Sequence, residues 1–410
     1  MNEKPIVVVG AGHAGVHVAT RLVELGWSGP TVLVDAEGTV PYERPPLSKD
    51  LLTESAPSAP PPLRRESYYL DKGIQTMLGV TAMAIDPEEG AVRLSDGGAL
   101  PFHRLVLATG STARTLPIPG ANLEGVQFLK TLDDSQTLRN RLTPGTRVVV
   151  VGAGYIGMEV AAAAAKLGCD TTVLEFQDRV MSRVTSPVVS EHFRKLHEEH
   201  GVRFVFGAQA SRFEGADHVT AVHTSDGMEY PADLVVIGVG VVPNQKLAED
   251  AGLECSDGIM VDNHGRTSNP LIYAAGDVTR FQCPWEGVSR RLECVQNALA
   301  QADAVARHIL GAPAKEPEIP WFWTIQHGVR LQTAGIRDPD DLAVVRGEPA
   351  TGKFSILYLR NGDKLAAIDT VHSLSDFAAG KRLIAAGSHI DPIHAADPNV
   401  KLTQVAASMS

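Results

Sequence analysis

The chain has 410 residues, 44% of them apolar and 21% charged, with 38 Gly and 26 Pro. At roughly 150 residues per domain this predicts two or three folded domains and excludes both a small binding module and a disordered polymer. Lys plus Arg number 37 against 48 Asp plus Glu, and the net charge of −11 disfavours nonspecific attraction to nucleic acid. The longest apolar runs, such as Val160 to Ala165, fall far short of the roughly 18 residues that span a bilayer. Ile6 to Val9 is too short an apolar block for a signal peptide, so a cytoplasmic protein with no membrane partner is expected. Cys169, Cys255, Cys283 and Cys294 form no C-x-x-C pair, so neither a disulfide framework, a metal site nor a dithiol redox centre is expected.

In chain order, Ile6 to Val9 reads as a buried strand, Gly10-Ala11-Gly12-His13-Ala14-Gly15 as a glycine turn, the stretch to Leu25 as a helix, and Thr31 to Val34 as a second strand. The same order returns at Val148 to Val151, Gly152-Ala153-Gly154-Tyr155-Ile156-Gly157, Met158 to Leu167 and Thr171 to Leu174. Each G-x-G-x-x-G therefore sits between strand and helix, the context in which it binds a dinucleotide. Its first glycine makes the tight turn, the second lets a pyrophosphate approach, and the third lets helix and strand pack. The helix N-terminus then offers unpaired N–H groups and a positive dipole end to the phosphates. A fold of two βαβ dinucleotide-binding units follows.

Each second strand ends in an acid that can hold ribose hydroxyls, Asp35 in the first unit and Glu175 in the second. Glu175 would also oppose a 2′-phosphate, which favours NADH over NADPH, although Arg179 and Arg183 follow closely and could turn toward one. His13 is read as a surface residue beside the turn without a ligand role.

Between the units, Arg104 to Leu107 leads into Ala108-Thr109-Gly110, and later Thr267-Ser268-Asn269-Pro270 leads to Tyr273-Ala274-Ala275-Gly276-Asp277. These resemble the strand-to-loop signatures of two-dinucleotide flavoprotein reductases, in which one unit holds FAD and the inserted one the pyridine nucleotide. By that resemblance Asp277 binds the FAD ribityl chain, where a carboxylate accepts charge-assisted hydrogen bonds. The same placement is compatible with Asp277 capping a following helix.

Three blocks narrow the family: Pro41-Tyr42-Glu43-Arg44-Pro45-Pro46-Leu47-Ser48-Lys49, Gly157-Met158-Glu159 and Pro320-Trp321-Phe322-Trp323. With them the chain, from Ile6 to about Leu383, resembles the NADH-dependent ferredoxin reductases that serve bacterial Rieske-type oxygenases and cytochromes P450. That group also includes rubredoxin reductases and apoptosis-inducing-factor-like proteins. The Arg-Pro-Pro-Leu-Ser-Lys block stands where disulfide-reductase relatives carry a redox cysteine, and this chain has no Cys before Cys169.

The resemblance implies an α/β fold of two Rossmann-like domains, like glutathione reductase, plus a C-terminal α+β domain. Its layout is an FAD domain over 1–112 and 243–316, an NADH domain over 113–242 and a C-terminal domain over 317–410. Lys49 and Glu159 are implied as a catalytic ion pair beside the flavin N5. The implied FAD contacts are Gly10, Gly12, Ala14, Gly15, Asp35, Arg44, Lys49, Ala82, Ala108, Thr109, Gly110, Lys130, Asp277, Glu293, Val295 and Trp323. The implied NADH contacts are Gly152, Gly154, Tyr155, Ile156, Gly157, Glu159, Glu175, Arg183 and Gly238. NADH would give a hydride to the flavin, and electrons would leave singly to a [2Fe-2S] ferredoxin, the reaction of the EC 1.18.1 class. A rubredoxin or other acceptor is the alternative, as is a signalling protein like apoptosis-inducing factor. A monomer or weak dimer is implied.

Three positions depart from the family pattern. Ala36 stands where relatives place the ribose acid, so Asp35 or Glu37 takes that role. Lys130 stands where many carry Arg, keeping the charge without the bidentate fork. Trp323 is followed by Thr324-Ile325 in place of Ser-Asp, which leaves the hydrogen bonding there open, and the aromatic run could equally be core.

The segment from Ser55 to Pro62 reads as a stiff surface loop. Past the aromatic run, Val344 to Val345, Phe354 to Leu359 and Leu365 to Val371 read as short strands and Asp376 to Ala386 as a helix. Arg290 and Arg291 are the candidate basic contacts for an acidic ferredoxin, with Arg64 and Arg65 a second choice.

Overall fold

A computed structural model of the chain describes residues 4–53, 59–285 and 287–405, so the first half of the proline-rich segment, 55–58, lies outside the described residues. The chain divides into two compact units: Met1–Glu43 with Pro61–Thr112 and Val242–Pro320, and Arg44–Pro60 with Ala113–Val241 and Trp321–Ser410.

The first unit is built on a five-stranded parallel sheet in the order Ile272–Ala274, Arg104–Leu107, Ile6–Val9, Thr31–Asp35, Ile74–Leu78. Its central strands are continuous apolar runs because both faces are covered. Ile6 and Val8 pack with the helices His13–Glu24 and Val295–Ile309. Val7 and Val9 pack against Ile85, Val92 and Leu94, which belong to the antiparallel meander Ala82–Asp86, Ala91–Leu94, Ala99–Pro101. The loop after Tyr273 continues into the strand Thr279–Gln282, and among the described residues no helix begins until Val295. The reading of Asp277 as a helix cap is therefore corrected.

The second unit repeats the plan with the parallel order Arg203–Phe206, Asp170–Glu175, Arg147–Val151, Leu234–Ile237, Val126–Gln127. One face of this sheet packs Val149 and Val151 against Phe213, Val219 and Val222. The C-terminal part of the unit is a five-stranded antiparallel sheet in the order Trp321–Gln326, Val329–Gly335, Lys364–Val371, Lys353–Arg360, Leu342–Glu348, with the helix Leu374–Ala385 against it. Trp321, Phe322 and Trp323 thus open a strand and are half-buried.

Candidate functional site

In the first glycine turn the three glycines are present for different reasons. Gly10 has φ +102°, and a Cβ on it would lie 2.2 Å from Ala108 O. A Cβ on Gly15 would lie 1.8 Å from Gly10 O, so helix and strand meet only because it is absent. Gly12 has an extended backbone that any residue adopts, φ −73° and ψ −171°, and a Cβ there would meet nothing within 4 Å. No internal contact explains that glycine, whereas an outside group approaching the backbone does. The helix beginning at His13 has no side-chain cap, so its first amides are open to an anion.

Asp35 ends its strand turned back toward this turn, where its carboxylate accepts from Ala11 N at 2.5 Å and from Glu37 N at 2.7 Å. Glu37 in turn accepts from the Tyr42 hydroxyl at 2.6 Å. Both candidate ribose acids therefore stand beside the turn. Gly276 N donates to Gln301 Oε1 at 2.8 Å, and Ser111 Oγ donates to Asp277 at 3.3 Å. Asn244 braces the Ala108-Thr109-Gly110 loop, its side-chain amide donating to Thr109 O at 2.8 Å and its backbone carbonyl accepting from Thr109 Oγ1 at 2.9 Å. Ala14 and Ala108 are buried, Ala82 is half-buried at the start of the meander, and Val295 opens a second helix without a side-chain cap.

The second turn copies this geometry. A Cβ on Gly152 would lie 2.6 Å from Gly238 O, one on Gly157 would lie 2.0 Å from Gly152 O, and one on Gly154 would meet nothing within 4 Å. Glu175 accepts from Ala153 N at 2.6 Å and Gln177 N at 2.8 Å, as Asp35 does in the first unit. The helix Tyr155–Lys166 again lacks a side-chain cap, and Ile156 is exposed beside it. Both turns fit a dinucleotide by the same test: a cradle that a side chain would fill and that the protein itself leaves empty.

Of the two arginines after Glu175, Arg179 is not available to a phosphate. It donates to Thr185 O at 3.0 Å, Ser190 Oγ at 2.7 Å and Ser182 O at 2.7 Å. Arg183 is exposed.

The remaining candidates gather within the second unit. Pro45–Ser48 forms one 3₁₀ turn, its two prolines fixing φ, and it delivers Lys49 to the helix Tyr155–Lys166. Lys49 Nζ lies 2.9 Å from the Glu159 carboxylate, with the two side chains 14% and 1% exposed. Two further donors meet that carboxylate: Ser48 Oγ and, at 2.6 Å, Thr324 Oγ1. Glu159 is one helical turn past Tyr155, and Thr324 is two strand positions past Phe322. The two periods match, so that Phe322 lies tilted against Tyr155, ring centroids 4.5 Å apart, while Thr324 meets Glu159. Burial pushes the Tyr155 phenol well above its ordinary pKa, so it is protonated. The buried carboxylate is thus ionically paired and hydrogen-bonded, the condition under which a buried charge is tolerated. Arg44 donates to Lys130 O at 3.0 Å, and the Lys130 amide donates to Asp134, which forms a capping box with Thr131. Trp323 lies against Trp321, ring centroids 5.5 Å apart.

Gln301 and Asn244 lie in no motif, and Ser48 and Thr324, though they stand in or beside the blocks that carry the resemblance, were given no role there; each of the four acts through a residue distant in the chain. Two expectations are corrected. His13 is not on the surface: its ring is 10% exposed and lies 3.0 Å from Glu43. Arg291 is not a free basic contact: it pairs with Asp257 at 3.3 Å and Glu293 at 2.7 Å and is 12% exposed. Arg290 is half-buried in a short strand.

Residues 4–302 match the family described as pyridine nucleotide-disulphide oxidoreductase, and 321–406 match the reductase C-terminal family. The chain is 41% identical to the probable ferredoxin reductase CtmF of Castellaniella defragrans, covering 99% of each. It is 39% identical to putidaredoxin reductase CamA of Pseudomonas putida, over 98% of this chain and 97% of that one. The solved structure of the covalent putidaredoxin reductase–putidaredoxin complex superposes with a TM-score of 0.95 at 39% identity, covering 99% of this chain and 98% of that one.

Proposed function

The chain belongs to the pyridine nucleotide-disulphide oxidoreductase family, and from that membership we propose that it is an FAD-dependent NADH:ferredoxin oxidoreductase. Its acceptor in this reading is a [2Fe-2S] ferredoxin that supplies a P450 or Rieske-type oxygenase. The observation that supports the proposal is the pair of glycine turns, each with a central glycine whose missing side chain leaves the backbone open to an approaching pyrophosphate. FAD, when bound, accepts electrons as a hydride and releases them one at a time.

We assign Gly10, Gly12, Ala14, Gly15, Asp35 or Glu37, Ala82, Ala108, Thr109, Gly110, Asp277, Glu293 and Val295 to FAD. Arg44, Lys49, Lys130 and Trp323 keep the FAD roles that the family resemblance implies. Gly152, Gly154, Tyr155, Ile156, Gly157, Glu175, Arg183 and Gly238 are assigned to NADH. Glu159 holds the Lys49 ammonium, and Ser48 and Thr324 hold Glu159. In this reading the ammonium, held by Glu159, is the positive charge that would favour a group gaining a negative one as it accepts electrons. We retain the three-part layout, 1–112 with 243–316, 113–242 and 317–410, as the functional division. No helix among the described residues is long and apolar enough to cross a membrane, and we assign the protein to the cytoplasm.

The test is flavin content and stopped-flow reduction. The purified protein should carry one non-covalent FAD that bleaches rapidly with NADH and reoxidises with a reduced-minus-oxidised ferredoxin signal. Extracted FMN, or no bleaching, would overturn the assignment.

A further inference from the structure

The segment from Arg179 to Ser186 follows the strand that ends at Glu175, and it is tied down from three directions. Met181 N donates to Ala153 O at 2.8 Å, in the middle of the second glycine turn. Met181 is itself 2% exposed and has φ +50°, a left-handed conformation that costs a non-glycine residue free energy and persists only where its surroundings impose it. Arg179 brackets the segment from within through Ser182 O and Thr185 O. The third tie comes from the C-terminal sheet of the same unit. Asp369 accepts from Thr185 Oγ1 at 2.6 Å and from the Tyr358 hydroxyl at 2.5 Å, and Tyr358 Oη accepts from Ser186 N at 3.1 Å.

The donors and acceptors of this last tie fit in one order only. Tyr358 has a single O–H, and because Asp369 takes it, the phenol oxygen is left to accept the Ser186 amide. Thr185 is fully buried and Ser186 is 1% exposed, so no water replaces either bond. Between the ties, Arg183 and Val184 stand exposed.

We propose that Asp369 is a positioning residue for NADH: through Thr185 and Tyr358 it sets the Arg179–Ser186 segment, and with it the Met181 contact to the glycine turn and the placement of Arg183. The proposal rests on reading the second glycine turn as the NADH site.

A buried carboxylate costs free energy to desolvate even when it is hydrogen-bonded, so it is a poor staple if holding the sheet were its only task. Asp369 is 3% exposed, and burial pushes its carboxyl up to about 6. The charged and titratable groups facing it are Tyr358, Arg337, whose guanidinium carbon lies 5.7 Å from the Tyr358 ring centroid, and Tyr155 at the head of the NADH-site helix. As pH falls through about 6, Asp369 takes up a proton and its two charge-assisted bonds weaken. The folded state then no longer bears a buried charge, so this group makes the protein more stable just as it holds the segment less firmly. Positioning and stability therefore move in opposite directions.

The experiment measures KM for NADH and kcat with ferricyanide as one-electron acceptor from pH 5.5 to 8 in the FAD-loaded enzyme, alongside Tm. In the unmodified enzyme KM should rise below about pH 6. Asp369→Asn should raise KM about fivefold or more at pH 7.5 with kcat within twofold and Tm not lowered, and should flatten the pH dependence. Thr185→Val should raise KM likewise, and Thr185→Ser should restore it. Folded Asp369→Asn and Thr185→Val enzymes with unchanged KM would overturn the proposal, as would a KM increase that only tracks a fall in Tm. If NADH fails to reduce the unmodified enzyme, the reading of the glycine turn fails instead.

Discussion

Replacing Gly12 by Ala should separate folding from FAD binding. On the protein side the change is nearly neutral. Alanine is a poorer helix N-cap than glycine by about 0.5–1 kcal/mol, while the stiffer unfolded chain returns about 0.4–1 kcal/mol, since the native φ of −73° suits alanine. The added Cβ meets no protein atom within 4 Å, so it clashes only with what approaches from outside. A methyl group there holds a pyrophosphate off the uncapped amides, and losing one hydrogen bond to a charged group costs about 1.5–3 kcal/mol, or roughly 10- to 100-fold in affinity. Gly15→Ala is the contrast: its Cβ would stand 1.8 Å from Gly10 O, so the helix must move and the apoprotein should fold poorly or not at all. The assay is Tm of the flavin-stripped protein together with FAD titration by fluorescence. Wild-type FAD affinity in Gly12→Ala, or wild-type stability in Gly15→Ala, would refute the account of why each glycine is present.

By the same reasoning Gly154→Ala should keep its FAD but show a KM for NADH raised at least tenfold in steady-state kinetics. Thr324→Val removes one donor from the buried Glu159 carboxylate and should cost about 1.5–3 kcal/mol, read by denaturant unfolding, with Thr324→Ser close to wild type. Lys49→Met should leave NADH binding largely intact while slowing flavin reduction in stopped flow, and unchanged kinetics would remove the ammonium from the mechanism. Glu175→Ser should improve kcat/KM for NADPH more than it harms NADH, and adding Arg183→Ser should take back part of that gain, whereas Arg179→Ser should instead destabilise its segment. Burial lowers His197 to about 4 and His327 to about 3. Their unfolded forms take protons near pH 6.5 before the folded forms do, so their contribution is complete above that pH and is lost as pH falls toward 4. For the fully buried His197 this is roughly 3 kcal/mol, and urea midpoints from pH 7 to 4.5 should show the loss shrink in His197→Gln.

Both βαβ units were legible in the sequence because their determinants are local. A β-branched run, a glycine turn, a helix and a strand-end acid follow within about 30 residues, and the conformation of each depends mainly on its near neighbours. The bond from Asp35 or Glu175 to its own turn follows from the same short loop. The Lys49–Glu159 pair entered only through resemblance, since nothing in the sequence between two residues 110 positions apart states that their side chains meet. What surrounds that pair was decided by packing: Thr324 reaches Glu159 because a strand laid along a helix aligns every second residue of one with every fourth of the other. Packing likewise neutralised Arg291 against Asp257 and Glu293, enclosed His13 against Glu43, and turned Arg179 away from the dinucleotide turn. A charge read from the sequence is a charge without a partner, because the partner of a long side chain is set by which elements the core brings alongside it. Thr185 and Asp369, 184 positions apart, meet only once the C-terminal sheet has folded within the same unit.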